Sequence, residues 1–162
     1  MRFPRTIRFD DSDEQVFERA AEPDEWAVSG AFAFAAADPG SITGKRRQAF
    51  RSGFLGTRTF GWSTFAVVAE IGADELEAVV GAVARHLVER YGAPSLEAAS
   101  IAARGEAEFA AGLCDHKINT LIAVEREFGP KGIVERFRTI EPAAGGAHAR
   151  IWTIVDDDEN RV

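Results

Sequence analysis

Two amphipathic helical periods run back to back through the middle of the chain, separated only by a short Gly-Ala-Pro break, and this pairing constrains the fold more than any other feature. From Asp74 to Tyr91, the apolar residues Leu76, Val79, Val80, Val83, Leu87 and Tyr91 recur at three- and four-residue intervals, the spacing of one helix face. Gly92 and Pro94 stop that helix, because one favours a left-handed cap and the other cannot continue the hydrogen-bond ladder. Ser95 opens a second helix to about Leu113, with Leu96, Ala99, Ala103, Ala107, Ala110 and Leu113 on its inner side. So many alanines on one face permit a close approach to a neighbouring element.

The sequence on either side follows a strand period. Thr120 to Phe128 and Ile133 to Ile140 flank Gly129-Pro130-Lys131-Gly132, a turn signal. With that turn, Phe128 opposes Ile133, Arg126 opposes Glu135, Glu125 opposes Arg136 and Val124 opposes Phe137. Opposite charges meet twice, which favours this register over a one-residue slip. Phe3 to Phe9 alternates as a half-buried strand, and Val16 to Arg19 is expected to pair with it as a hairpin. Trp26, Val28, Gly30, Phe32 and Phe34 alternate with Ala27, Ser29, Ala31 and Ala33, and this predicts a strand over 26–34 covered on both faces. Asp38-Pro39-Gly40 is a turn, and a short helix is expected from Thr43 to Phe54, capped by Ser41 or Thr43. Phe65 to Ile71 reads as a central strand and Ala149 to Val155 as a last one. The order predicts an α+β fold: a largely antiparallel sheet with the two long helices on one face, plus a short helix. We expect residues 1–162 to form a single domain, with an acidic tail over about 156–162.

At 162 residues the chain can bury roughly 70% of the surface it exposes when unfolded, so it needs no covalent staple. Cys114 is the single cysteine, which rules out an intrachain disulfide and fits a reducing compartment. The N-terminus has no apolar core of signal-peptide length, and the longest nearly uncharged stretch, Trp26 to Ala37, is too short for a membrane span, so the expected location is cytoplasmic, with no membrane partner. A net charge of −7 argues against nucleic acid, whose phosphates require a basic surface. The standard nucleotide, zinc-protease, redox and hydrolase motifs are missing, and Thr43-Gly44-Lys45 lacks the glycine-rich arc of a phosphate loop. No cofactor or metal is therefore expected. His86, His116 and His148 show no ligand spacing.

Two groups remain as candidates for chemistry. Lys45, Arg46 and Arg47, with Arg51 one turn beyond Arg47, form the largest local excess of positive charge. They open a helix, where backbone N–H groups also attract anions, and so they are candidate ligand-binding residues. The bland reading is a solvated helix face. Cys114 and His116 are candidate catalytic residues, since an imidazolium can activate a thiol. Their two-residue spacing at a helix C-terminus works against this, because the side chains diverge and the dipole raises the thiol's pKa. The bland reading is a buried cysteine beside a histidine that caps helical carbonyls.

Phenylalanine is abundant, with 12 residues, and Phe50, Phe54, Phe60, Trp62 and Phe65 crowd one region. A surplus beyond the core could line a pocket or form a subunit interface, and the favoured reading is a homodimer interface that would also cover a sheet edge. The runs RTIRFDDSDEQVFERAAEPDEWAVSGAFAF, GKRRQAFRSGFLG and NTLIAVEREFGPKGIVERFRTI resemble an uncharacterised family of small proteobacterial proteins. The resemblance implies a bacterial cytosolic protein and no particular activity. The leading expectation is an accessory or binding protein, homodimeric and non-catalytic, that recognises a protein partner or a small anionic ligand. The alternative is a small enzyme for an anionic substrate, with Arg47 and Arg51 as the clamp and Cys114 or His116 as the reactive group.

Overall fold

The computed structural model describes residues 1–142 and, as backbone, residues 152–157. The first half contains β1 (Arg2–Ile7), α1 (Ser12–Val16), β2 (Ala27–Val28), α2 (Gly44–Ser52), β3 (Phe54–Gly56), β4 (Trp62–Ser63) and β5 (Phe65–Glu70). The second half contains α3 (Ala73–Tyr91), α4 (Leu96–Gly112), β6 (Leu121–Gly129), β7 (Gly132–Pro142) and β8 (Trp152–Asp157). The strands form a five-stranded sheet in the order β1-β5-β6-β7-β8 and a three-stranded sheet in the order β2-β3-β4. Neighbouring strands are antiparallel throughout, so the fold is α+β as the element order predicts.

The β6–β7 hairpin adopts the register set by its charges, with Arg126 opposite Glu135 and Glu125 opposite Arg136. The turn is tighter than a four-residue loop, since Gly129 and Gly132 form the last rung and Gly132 takes a φ of 129°. The Arg126–Glu135 pair is also more than a surface charge pair. Both side chains are fully buried, with Nε to Oε2 at 2.8 Å. Arg126 Nη1 donates to the Phe50 carbonyl of α2 at 3.0 Å, and Nη2 donates to the Ser29 carbonyl. Ser29 Oγ donates to Glu135 Oε2 at 2.6 Å. One buried pair thus ties the hairpin, the last turn of α2 and the 29–34 segment together, and the ring of Phe128 stacks on Phe50 at 4.3 Å.

The helical hairpin forms as expected. Ser95 caps α4 by accepting from the Ala98 amide at 3.1 Å, and Gly92 closes α3 at a φ of 72°. Val79, Val80, Val83 and Leu87 of α3 and Ala99, Ala103, Ala107 and Ala110 of α4 are buried in one cluster with Phe3, Val28 and Leu55. Burying each of the larger side chains contributes about 1.5–3 kcal/mol. The C-terminal end of α4 meets the five-stranded sheet: Leu113 and Cys114 pack with Ala66, Val68, Ile122 and Phe137. Leu96, expected on the inner side, is the first residue of α4 and is 57% exposed.

Three strand or helix expectations need correction. Residues 26–34 are not one strand: β2 ends at Val28, Gly30 turns the chain at a φ of 82°, and Ala31–Phe34 is a 3-10 turn. The small residue at position 30 serves close approach, since a Cβ there would lie 2.7 Å from Leu55 Cβ and 2.8 Å from the Trp62 ring. The 16–19 segment is not a strand either. Ser12–Val16 is helical, and Asp13 is buried beneath it, with Oδ1 accepting from Thr64 Oγ1 at 2.6 Å. The helix expected to reach Phe54 stops at Ser52. Gly53 is extended so that Phe54 can start β3, and the Trp62 ring occupies the space where a Gly53 Cβ would stand. Of the acidic tail, Asp156 and Asp157 belong to β8. The first residues of the expected 149–155 strand and residues 158–162 lie outside the described residues.

Candidate functional site

The first turn of α2 carries Lys45, Arg46 and Arg47 and no acidic residue. A helix N-terminus already bears partial positive charge, so each added cation there costs about 0.3–1 kcal/mol. The other long helices follow the usual preference, with Asp74 and Glu75 opening α3 and Glu97 opening α4. Thr43 stands at the N-cap of α2 without a side-chain cap bond. The local sequence therefore gives up helix stability to concentrate positive charge at one point.

Two of these cations, Lys45 and Arg46, line a cleft of about 430 Å3 between α2, the end of α3 and the strands of the small sheet. Four cationic side chains line it: Arg19, Lys45, Arg46 and Arg90. Glu18 is its one carboxylate. Its walls are the rings of Phe34, Phe60, Trp62, His86 and Tyr91, with Ala33, Ala49 and Leu55 behind them. The Phe60 and His86 rings stack at 3.7 Å and 6°, Tyr91 meets His86 edge-on at 5.4 Å, and the Arg46 guanidinium lies 5.8 Å from the centre of the Phe34 ring. Guanidinium groups bind phosphate or carboxylate with two parallel hydrogen bonds, while aromatic faces accept a planar group.

Phe60 is held in place by a buried carboxylate. Its φ of 56° is in the left-handed region, which costs a bulky residue about 1–3 kcal/mol. The 57–61 loop sustains this strain through Glu25, which is 2% exposed. Glu25 Oε1 accepts from the Arg58 and Thr59 amides at 2.9 and 2.7 Å. Its Oε2 accepts from the Glu22 amide at 2.7 Å and from Thr59 Oγ1 at 2.6 Å. On the far side of Phe60, Gly61 lies so close to the Ala20 backbone that a Cβ would come within 2.5 Å of its carbonyl oxygen.

The cleft's own cations set its electrostatics. The pKa of His86 lies below 6.5, first because of burial and then because of Arg90, while Glu89 pulls the other way and Arg19 adds to the depression. Burial raises the Tyr91 pKa, partly opposed by Arg46 and Arg90. At neutral pH both rings are therefore uncharged, and the positive charge resides on the guanidinium and ammonium groups.

A model of the family of unknown function DUF6505 matches residues 1–156. The chain belongs to the DUF6505 family. No curated protein and no solved structure matches the chain.

Within this DUF6505 chain, the residues singled out in the sequence do not act as one group. Lys45 and Arg46 line the cleft, whereas Arg47 and Arg51 lie on another side of α2, where they share a groove of about 450 Å3 with Glu125 and Glu127. Positions 47 and 51 are one helical turn apart and share a face that 45 and 46 do not. Arg51 also borders a groove with Arg136 and Arg138. Cys114 is 1% exposed in the core, and burial pushes its thiol up to about 12, which leaves it protonated. His116 is half-buried in the loop after α4, and its carbonyl accepts from Arg2 Nη1. Neither residue lines the two grooves that Arg51 borders. Among the described residues, no group of three or more His, Cys, Asp or Glu side chains is placed to hold a metal ion, and no helix is long and apolar enough to cross a membrane. His148 lies outside the described residues. Arg19 and Arg90 are not among the binding groups the sequence suggests, whereas Phe60 stands among the aromatics that suggest a pocket or an interface, His86 among the histidines weighed for a metal, and Tyr91 in the apolar stripe of α3. One signal was available, since His86 and Arg90 are four apart and Tyr91 follows at the same helix end.

Proposed function

We propose that this DUF6505 protein is a binding protein for a small anionic ligand that carries a planar group, and that the ligand sits between α2 and the end of α3. One observation carries the reading: in a chain of net charge −7, four cations drawn from three separate segments converge on an aromatic-walled cleft with one carboxylate. Surface charges that serve only solubility have no need to converge in this way. Arg46 and Arg90 supply directional donors, Lys45 a point charge, and Tyr91 and Trp62 the faces for a ring.

A cytoplasmic accessory role fits such a protein. The homodimer suggested by the aromatic surplus has less support than the ligand, because Phe50, Phe54, Phe60, Trp62 and Phe65 are all buried or half-buried within the chain. The enzymatic alternative built on Arg47, Arg51, Cys114 and His116 has less support than the ligand, because Cys114 is buried in the core with its thiol protonated.

Isothermal titration calorimetry with phenyl phosphate, inorganic phosphate and phenol tests the reading. Phenyl phosphate should bind tightest and phenol weakest. Arg46→Glu and Arg90→Glu should each weaken phenyl phosphate about tenfold or more, the worth of one charge-assisted contact turned repulsive. Equal affinity in the parent and both variants, or no binding of either phosphate, would overturn it.

A further inference from the structure

The stacked Phe60 and His86 rings line two clefts, the cationic one and a second of about 610 Å3. Its chemistry differs. Arg58 and Arg85 are matched by Glu75 and Glu89, so it carries no excess charge. Ala78 and Ala82, one turn apart on α3, leave its floor low, and Trp26 forms a wall, steadied by an Nε1–H bond to Glu75 Oε2 at 3.0 Å. Each cleft has the size of a small-molecule site, about 300–1,000 Å3. A site made only for a compact anion would need one compartment, and nothing in it would call for the second.

The two clefts thus offer a multiply cationic chamber and a neutral chamber with an aromatic wall, and they share one stacked pair. We propose that they form a single groove for a two-part ligand of the nucleoside polyphosphate class, with the polyphosphate among Arg19, Lys45, Arg46 and Arg90 and the uncharged base and sugar beside Trp26. The inference rests on the anion-binding reading above and adds the ligand's second half. Phe60 is the residue that sets the boundary. Its backbone is held by the Glu25 loop, so the ligand crosses along the edge of the ring pair, and a rigid partition selects for length.

The test uses the full chain in magnesium-free buffer, with sodium tripolyphosphate as the head alone and ATP as head and body, each followed by calorimetry. ATP should bind at least tenfold tighter than tripolyphosphate. Ala82→Trp, which fills the floor of the second cleft, should abolish that advantage and leave tripolyphosphate affinity within about twofold, and retained tripolyphosphate binding itself reports a folded variant. Ala78→Trp, at an exposed helical position, provides a second obstruction if the first disturbs packing. ATP binding no tighter than tripolyphosphate, or an ATP advantage that survives both substitutions, would overturn this inference and leave anion binding intact. Failure of both probes to bind the parent protein would overturn the two together.

Discussion

Glu25→Gln should loosen the loop that carries Phe60, and the structure allows its cost to be worked out. Glu25 accepts four hydrogen bonds, two on each oxygen. A glutamine must put an NH2 group where one oxygen was. Placed at Oε1, the amide nitrogen would face two backbone donors. Placed at Oε2, it faces only the Glu22 amide, because the Thr59 hydroxyl can rotate to accept. The second arrangement is cheaper and sets the Glu22 amide against the second glutamine N–H with no acceptor between them, at about 1–3 kcal/mol. The remaining bonds lose their charge assistance, which adds roughly 1 kcal/mol, for a total of about 2–4 kcal/mol. With a urea m-value of about 2 kcal/mol/M, the midpoint should fall by about 1–2 M. Urea titration followed by tryptophan fluorescence measures this, and calorimetry with phenyl phosphate on the folded variant should show weaker binding, because Phe60 is no longer held. Gly56→Ala should reproduce both effects from the other side, since its Cβ would stand 2.6 Å from Glu25 Oε1. A stability loss below about 0.5 kcal/mol, within the range of an unremarkable surface change, would refute the claim that Glu25 organises the loop.

Three further outcomes follow from the buried and titrating groups. Arg126→Met should cost about 3–5 kcal/mol in urea unfolding, because it strands the Glu135 carboxylate, and the double variant Arg126→Met with Glu135→Met should regain part of that loss. The folded-state pKa of Cys114 is raised from 9.0 to about 12, so above pH 9 the unfolded chain releases a proton that the folded chain keeps. Stability attributable to Cys114 is complete below pH 9 and should fall by up to about 1.4 kcal/mol per pH unit from there towards pH 12, a slope that Cys114→Ala removes. His86 is held neutral by burial and by Arg90 and Arg19, against Glu89, so an anion bound among those arginines should raise its pKa and bring proton uptake. Ligand affinity should then rise as pH falls below neutral, by no more than tenfold per pH unit, and calorimetry in buffers of different ionisation enthalpy should detect less proton uptake for His86→Phe.

Elements that carry many repeats of one period were legible in the sequence. The α3–α4 hairpin rests on five or more stripe positions in each helix, and the β6–β7 register rests on two opposed charge pairs. The small sheet was not legible, because strands of two and three residues are too short to display a period. The large–small alternation of 26–34 misled for a physical reason. Its small residues answer to close contacts with Leu55 and Trp62 in a turn, and a period of two records size without recording backbone conformation. The candidate site shows the same division. The cationic start of α2 could be read directly, but which cations face inward depends on where α3 ends. Arg19, Phe60 and Arg90 meet only through tertiary packing. The buried Arg126–Glu135 pair was placed correctly along the hairpin, yet its burial depends on α2 lying across β6, which no local pattern records.

On the proposed function, anions enter the cleft bounded by Arg19, Lys45, Arg46 and Arg90. A two-dimensional NMR titration of 15N-labelled protein with phenyl phosphate locates the bound anion residue by residue. Saturating shifts are expected at 19, 45–46, 60–62 and 86–91. Shifts concentrated instead at Arg51, Arg136 and Arg138, or spread evenly over the basic residues without saturation, would contradict it.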